Sequence, residues 1–171
     1  MNPLSGEAVS NLTLSYLATG DYKQALAQSI HNQEVLPSWP TARFYQGLAL
    51  YHQGRFLDAQ NVLTDLSVNW TKSGAESTLA LTYIALGDEI SARKVLAGIQ
   101  KGVDYFSIAL VYAALGEKEM ALETFNKVEN WGPWAALAMR RFFPEILDSL
   151  HSDPRYPLLL DEMHRNWGIE P

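Results

Sequence analysis

Gly20-Asp21-Tyr22-Lys23-Gln24-Ala25 recurs three times along the chain. The later copies are Gly54-Arg55-Phe56-Leu57-Asp58-Ala59, Gly87-Asp88-Glu89-Ile90-Ser91-Ala92 and Gly116-Glu117-Lys118-Glu119-Met120-Ala121. Ala stands five residues after Gly in every copy, and successive glycines are 34, 33 and 29 residues apart. Apolar residues precede each Gly at helical spacing, as in Ile108, Ala109, Val111, Tyr112 and Leu115. A Gly after such a run can take the left-handed conformation that ends a helix. An aromatic two residues on, Tyr22 or Phe56, can fill the angle between two helices, and the small Ala lets their backbones approach. Working outward, Tyr16, Leu50, Tyr83 and Tyr112 stand four residues before the glycines. Ser29, Leu63, Leu96 and Phe125 stand four residues after the alanines. Four copies in register, matched on both sides, describe a repeated helix–turn–helix unit.

A unit of this length carrying this phrase resembles the tetratricopeptide repeat, and the resemblance covers roughly residues 6 to 135. It implies an all-α fold, a right-handed superhelical solenoid of helix–turn–helix hairpins with a C-terminal capping helix. The expected segments are 1–5 (the end of an upstream repeat or a linker), repeats at 6–39, 40–72, 73–101 and 102–135, and capping helices at 136–171. Ser29 departs from the family, which has a bulky residue there. Closing prolines Pro37 and Pro133 each follow their Gly by 17 residues, whereas Thr71 and Asp104 hold those places in the middle repeats. Pro3 lies 34 residues before Pro37. Asn2-Pro3 is therefore expected to close an upstream repeat, making this chain the C-terminal piece of a longer protein. Gly98 and Gly102 predict a shortened second helix in the third repeat, with a tighter turn before the fourth.

Beyond residue 135 the period breaks. A helix is expected over Trp134 to Arg141, then Phe142-Phe143-Pro144-Glu145-Ile146-Leu147, then a last helix from about Tyr156 to Asn166, with Ser152 or Asp153 before Pro154 as its start. An array of stacked hairpins needs such an end piece to cover its last apolar face. The phrase from Pro144 through Ser152-Asp153-Pro154-Arg155-Tyr156 to Leu159-Leu160 also resembles the terminal segment of a bacterial group of these arrays. In that group they follow a kinase, a nucleotide cyclase or a ToxR-like winged-helix domain. This implies a regulatory module attached to an output domain.

The rest of the composition narrows the chemistry. The 171 residues are 47% hydrophobic with a net charge of −6, acids and bases intermixed. No basic stripe could follow a phosphate backbone, so direct nucleic-acid binding is not expected. Cys is absent, which excludes disulfides and thiolate metal sites. No leader of basic then apolar residues and no membrane-length apolar run is present, so a cytoplasmic setting is expected, or a periplasmic one if the parent is membrane-anchored. No phosphate-binding Gly loop occurs, and His31, His52, His151 and His164 include no helical metal pair. Asp148/His151 and Asp161/His164 are spaced as helix neighbours and read as exposed pairs rather than catalytic ones. Trp39, Trp70, Trp131, Trp134 and Trp167 read as packing at repeat ends, or alternatively as a binding hot spot. No cofactor, no metal and no catalysis are expected.

In the resembled family the first helices of successive hairpins line a concave groove. Carried over position by position, this one is formed by Ser10, Leu14, Leu17, Phe44, Leu48, Tyr51, Ser77, Leu81, Ile84, Phe106 and Leu110. The family's basic carboxylate clamp for chaperone tails is missing, because its places hold Ser10, Leu14, Tyr45, Gly74 and Thr78. An apolar groove suits an amphipathic helix from a protein or peptide partner, from the chain's own upstream domain, or from a second copy. A one-residue shift of register would instead make Phe44, Leu48 and Phe106 packing between adjacent helices. Two functions remain: a protein-interaction scaffold, or a regulatory or dimerisation region of a larger signalling protein.

Overall fold

Apolar periodicity interrupted by glycine predicts paired helices, and the computed structural model, which describes residues 6–69, 73–102, 104–129, 135 and 138–166, has them. The first pair is α1 (Gly6–Thr19) and α2 (Tyr22–Val35), followed by α3 (Pro40–His52) and α4 (Phe56–Asn69). Then come α5 (Ser73–Ala85) with α6 (Glu89–Gly102), and α7 (Tyr105–Ala114) with α8 (Lys118–Phe125). A π-helical turn (Ala138–Phe142), α9 (Pro144–Asp148) and α10 (Arg155–Asn166) follow among the described residues. No strand occurs among the described residues.

The four glycines close their helices in one way. Each has a positive φ, 79°, 71°, 78° and 79° in chain order, which side-chain-bearing residues rarely adopt. The amide after each Gly donates to the carbonyl four residues before it: Asp21 to Tyr16 and Asp88 to Tyr83 at 2.9 Å, Arg55 to Leu50 and Glu117 to Tyr112 at 3.0 Å. These bonds satisfy carbonyls that a helix end otherwise leaves open. Asp21 and Asp88 then cap the next helix, accepting the Gln24 and Ser91 amides at 3.1 and 3.0 Å. Ala25, Ala59, Ala92 and Ala121 are all 0% exposed, at the level where the paired helices approach.

Packing follows chain order. Each of α1 to α7 packs on the next, and α1, α3, α5 and α7 also touch one another in that order, so the first helices form a layer of their own. Thr13, Gly47, Ala80 and Ala109, seven residues before each Gly, are buried in it. A Cβ on Gly47 would come within 2.6 Å of Leu63, so α3 and α4 approach too closely for a larger residue there.

The first hairpin fills its interior differently. Leu63, Leu96 and Phe125 have Ser29 as their counterpart, and Leu66, Ile99 and Val128 have Asn32. Ser29 Oγ donates to the Leu26 carbonyl at 2.7 Å. Asn32 Nδ2 donates to Thr13 Oγ1 at 2.8 Å and to the Val9 carbonyl at 2.9 Å, and its Oδ1 accepts from Gln28 Nε2 at 2.8 Å. The departure at Ser29 is therefore one part of a polar interior whose members are bonded to each other or to the backbone.

One expectation is corrected. Helix α6 is not short: it has 14 residues, like α2 and α4, and the shortening falls on α7, which has 10 against 13 in α3 and α5. A methyl group on Gly98 would meet nothing within 4 Å, so this Gly sits on an open helix face and does not break the helix. The abrupt step is made by Asp104, whose Oδ1 accepts the Ser107 amide at 3.1 Å and starts α7 just after α6 ends. Of the helix expected over Trp134 to Arg141, Ala135 is helical and Ala138–Phe142 forms a π turn, where the Phe143 amide reaches the Ala138 carbonyl at 2.8 Å. Residues 1–5, Trp70, Thr71, Trp131, Pro133, Trp134 and Trp167 lie outside the described residues.

Helix α10 packs on α8. Asp153 Oδ1 accepts the Arg155 amide at 2.9 Å, and the Arg155 guanidinium meets both Glu119 oxygens of α8 at 2.9 and 2.8 Å. The π turn and α9 go elsewhere: they run back over the first-helix layer, touching α1 and α7 respectively.

Candidate interaction face

The eleven residues expected to line a groove divide by burial. Ser10, Leu17, Phe44, Leu48, Ser77, Leu81, Phe106 and Leu110 are interior side chains, none more than 6% exposed. Ser10 Oγ accepts the Trp39 indole N–H at 3.0 Å, and Phe106 packs on Phe125 with ring centres 5.9 Å apart. For Phe44, Leu48 and Phe106 this is the packing between adjacent helices that a shifted register implied. A charged substitution at Phe44 or Leu48 would disrupt the core rather than probe a surface. Only Leu14, Tyr51 and Ile84 stay half-buried.

Tyr51 and Ile84 face the returning C-terminal segment. Two clefts flank it. One, about 330 Å³, lies between Tyr22, Tyr51, His52 and Phe56 on the array and Arg141 to Ile146 on the segment. The other, about 340 Å³, lies between Leu81, Ile84 and Ala113 of the array and Glu145 and Ile146 of the segment. Between these clefts the segment is held by side chains of three kinds. Arg141 Nε and Nη2 donate to the Ala18 and Thr19 carbonyls at 2.6 and 2.7 Å, placing a cation on the last turn of α1, where the helix dipole favours it. Phe142 and Phe143 are 3% and 2% exposed. Ile146 reaches toward α5 and α7.

His52 is the centre of the aromatic contact. Its ring stacks on Tyr22 at 4.5 Å and on Phe143 at 5.6 Å, with Tyr51 edge-on at 5.3 Å and Phe142 at 6.0 Å. Its Nε2 is buried without a hydrogen-bond partner. Burial disfavours the imidazolium and pushes the His52 pKa down from 6.5 to about 4. Burial likewise pushes the Tyr51 hydroxyl up to about 12, with the Glu145 carboxylate adding to the effect. The arrangement provides π faces, one guanidinium and a neutral imidazole, which are elements of recognition.

The other candidates are simpler. His151 Nδ1 and Asp148 lie 3.4 Å apart with both side chains exposed. Among the described residues no group of three His, Asp or Glu side chains is placed to hold a metal ion, and no helix is long and apolar enough to cross a membrane. Two features escaped sequence reading. The small residues seven before each Gly share the repeat spacing and were readable from it. The docking of Arg141-Phe142-Phe143 carried a weaker signal, namely two adjacent aromatics in a segment expected only to cover the last apolar face.

Comparison with known proteins gives short, partial likenesses. No family model matches the chain, and no solved structure matches it. It is similar to tetratricopeptide repeat protein 28 of Mus musculus, 42% identical over 50 residues, 29% of this chain and 2% of that protein. It is also similar to two kinases of Arabidopsis thaliana. Serine/threonine-protein kinase BSK2 is 38% identical over 61 residues, and serine/threonine-protein kinase BSK6 is 40% identical over 52 residues. The matches cover 36% and 30% of this chain, and the chain spans only 12% and 11% of the two kinases. These plant and mouse relatives lend no support to the bacterial setting read from the C-terminal phrase. What they and the helical pairing support together is a helical-repeat protein of tetratricopeptide likeness.

Proposed function

We propose that this chain is a tetratricopeptide-type protein-interaction module, a right-handed solenoid that binds a protein or peptide partner on its first-helix layer, without catalysis and without nucleic acid. The contact of α1, α3, α5 and α7 in sequence supports the solenoid reading. One observation carries the function: this layer already receives a non-periodic chain segment through side-chain contacts, with clefts beside it that remain open. The test is Ile84→Asp, a half-buried position at the second cleft. We expect unchanged far-ultraviolet circular dichroism and loss of the partner retained by the wild-type chain in affinity capture followed by mass spectrometry. Undiminished retention would put the binding surface elsewhere.

A second reading, a regulatory or dimerising region of a larger signalling protein, draws on the two kinase likenesses, each confined to about a tenth of the kinase. Light scattering across a concentration series tests its dimer form. A mass that stays monomeric at all concentrations removes self-association from it.

A further inference from the structure

Residues 141 to 146 do on the first-helix layer what a bound peptide would do. Arg141 meets the last turn of α1 and the helix that begins at Pro144 touches α7, so the segment crosses the layer from side to side. The contacts along it differ in chemistry: a guanidinium on two open carbonyls, an aromatic pair on Tyr51 and His52, then Ile146 toward α5 and α7. The fit is incomplete. Clefts of about 330 and 340 Å³ lie along the segment, and His52 Nε2 is buried beneath it without a partner.

Resting on the interaction reading above, we infer that this face recognises a partner segment bearing an arginine, an aromatic pair and an aliphatic residue in that order, and that Arg141 to Ile146 occupy those places until it displaces them. Order and spacing are fixed by the face. The α1 carbonyls, the His52 and Tyr51 rings and the apolar wall of Leu81, Ile84 and Ala113 follow one another across the layer. A tethered segment competes at high effective concentration. A free segment therefore binds with its intrinsic affinity reduced by the fraction of molecules in which the face is open.

The experiment uses the full chain and a fluorescein-labelled synthetic peptide of residues 138–150, followed by anisotropy. Arg141→Ala combined with Phe143→Ser should open the face and bind the peptide at least about tenfold more tightly than wild type, with a scrambled peptide binding neither. Equal affinity for wild type and variant overturns the inference, as does no binding to a variant that retains its helical circular dichroism. Should the double variant not fold, Arg141→Ala alone, which alters one exposed side chain, should bind at least about threefold more tightly than wild type, and equality there also overturns it. If partner capture remains sensitive to Ile84→Asp while no variant takes the peptide, the interaction reading stands and displacement alone is lost.

Discussion

The four-hairpin array and the segment that returns over it are stabilised by opposite means. The array repeats one device: a left-handed Gly, an amide bonded to the carbonyl four residues before it, and an alanine with no exposed surface. Each copy supports its neighbours, so stability grows with the number of copies. The segment uses every contact once: Arg141 on α1, Phe143 on His52, Ile146 toward α5 and α7. Repetition gives a scaffold that resists local damage but fails as a whole once its register is broken. Single contacts predict an element that detaches while the scaffold stays folded. Substitutions in the two regions should separate these behaviours.

The largest effect belongs to the array. Ala121→Trp places an indole where α7 and α8 leave no space, since Ala121 is 0% exposed. Overpacking on this scale costs more than about 3 kcal/mol, and circular dichroism should show the cooperative melt lost or lowered across the whole chain. Phe143→Ala comes next. Removing a buried phenyl costs roughly 3 kcal/mol, but here it falls on the segment. Hydrogen exchange should speed up over 138–148 while α3 to α6 keep their protection. Equal acceleration in both would show that segment and array form one cooperative unit.

The two regions were also unequally legible. The glycine turns could be read because a periodic sequence states the same local rule four times. Tyr16, Leu50, Tyr83 and Tyr112 mark the carbonyl that each turn closes on. The polar interior of the first hairpin was half legible. Ser29 was visibly anomalous, but its meaning lay in Thr13 and Asn32, which are 19 residues apart and bonded at 2.8 Å. The expected groove failed differently. Position within a repeat fixes which helix a residue is on, but not how far Leu48 or Leu110 turns inward, which depends on how neighbouring hairpins cross. The returning segment was least legible, because Arg141 meets carbonyls more than a hundred residues away and no local pattern encodes such a contact.

Acid should weaken the segment before the array. The His52 pKa is pushed down from 6.5 to about 4 by burial, so the folded state binds its proton less readily than the unfolded chain does. Its contribution is complete above pH 6.5 and is lost as pH falls from there toward 4. Stability should drop by roughly 2 kcal/mol by about pH 5. Exchange over 138–148 at pH 7 and pH 5 would locate the loss, and His52→Phe should flatten the difference. If the pH dependence survives that substitution, it comes from groups other than His52; Asp153 is not one of them, because its carboxyl, pulled down to about 2 chiefly by its hydrogen bonds from Arg155, loses its contribution only below about pH 4.

The smallest effect sharpens the comparison most. Arg141→Ala removes two bonds to the last carbonyls of α1 from an exposed side chain, leaving those carbonyls to water. A charged donor on a solvated helix end is worth about 1 kcal/mol, too little to shift the melting of the array by more than a few degrees. The segment feels the same loss at the contact that ties it to the first hairpin. Its exchange should therefore rise about fivefold at 138–143 with almost no change in the melting transition. A melting transition that falls with the exchange would mean that the guanidinium closes the array end to end, and that the segment is part of the scaffold rather than its occupant.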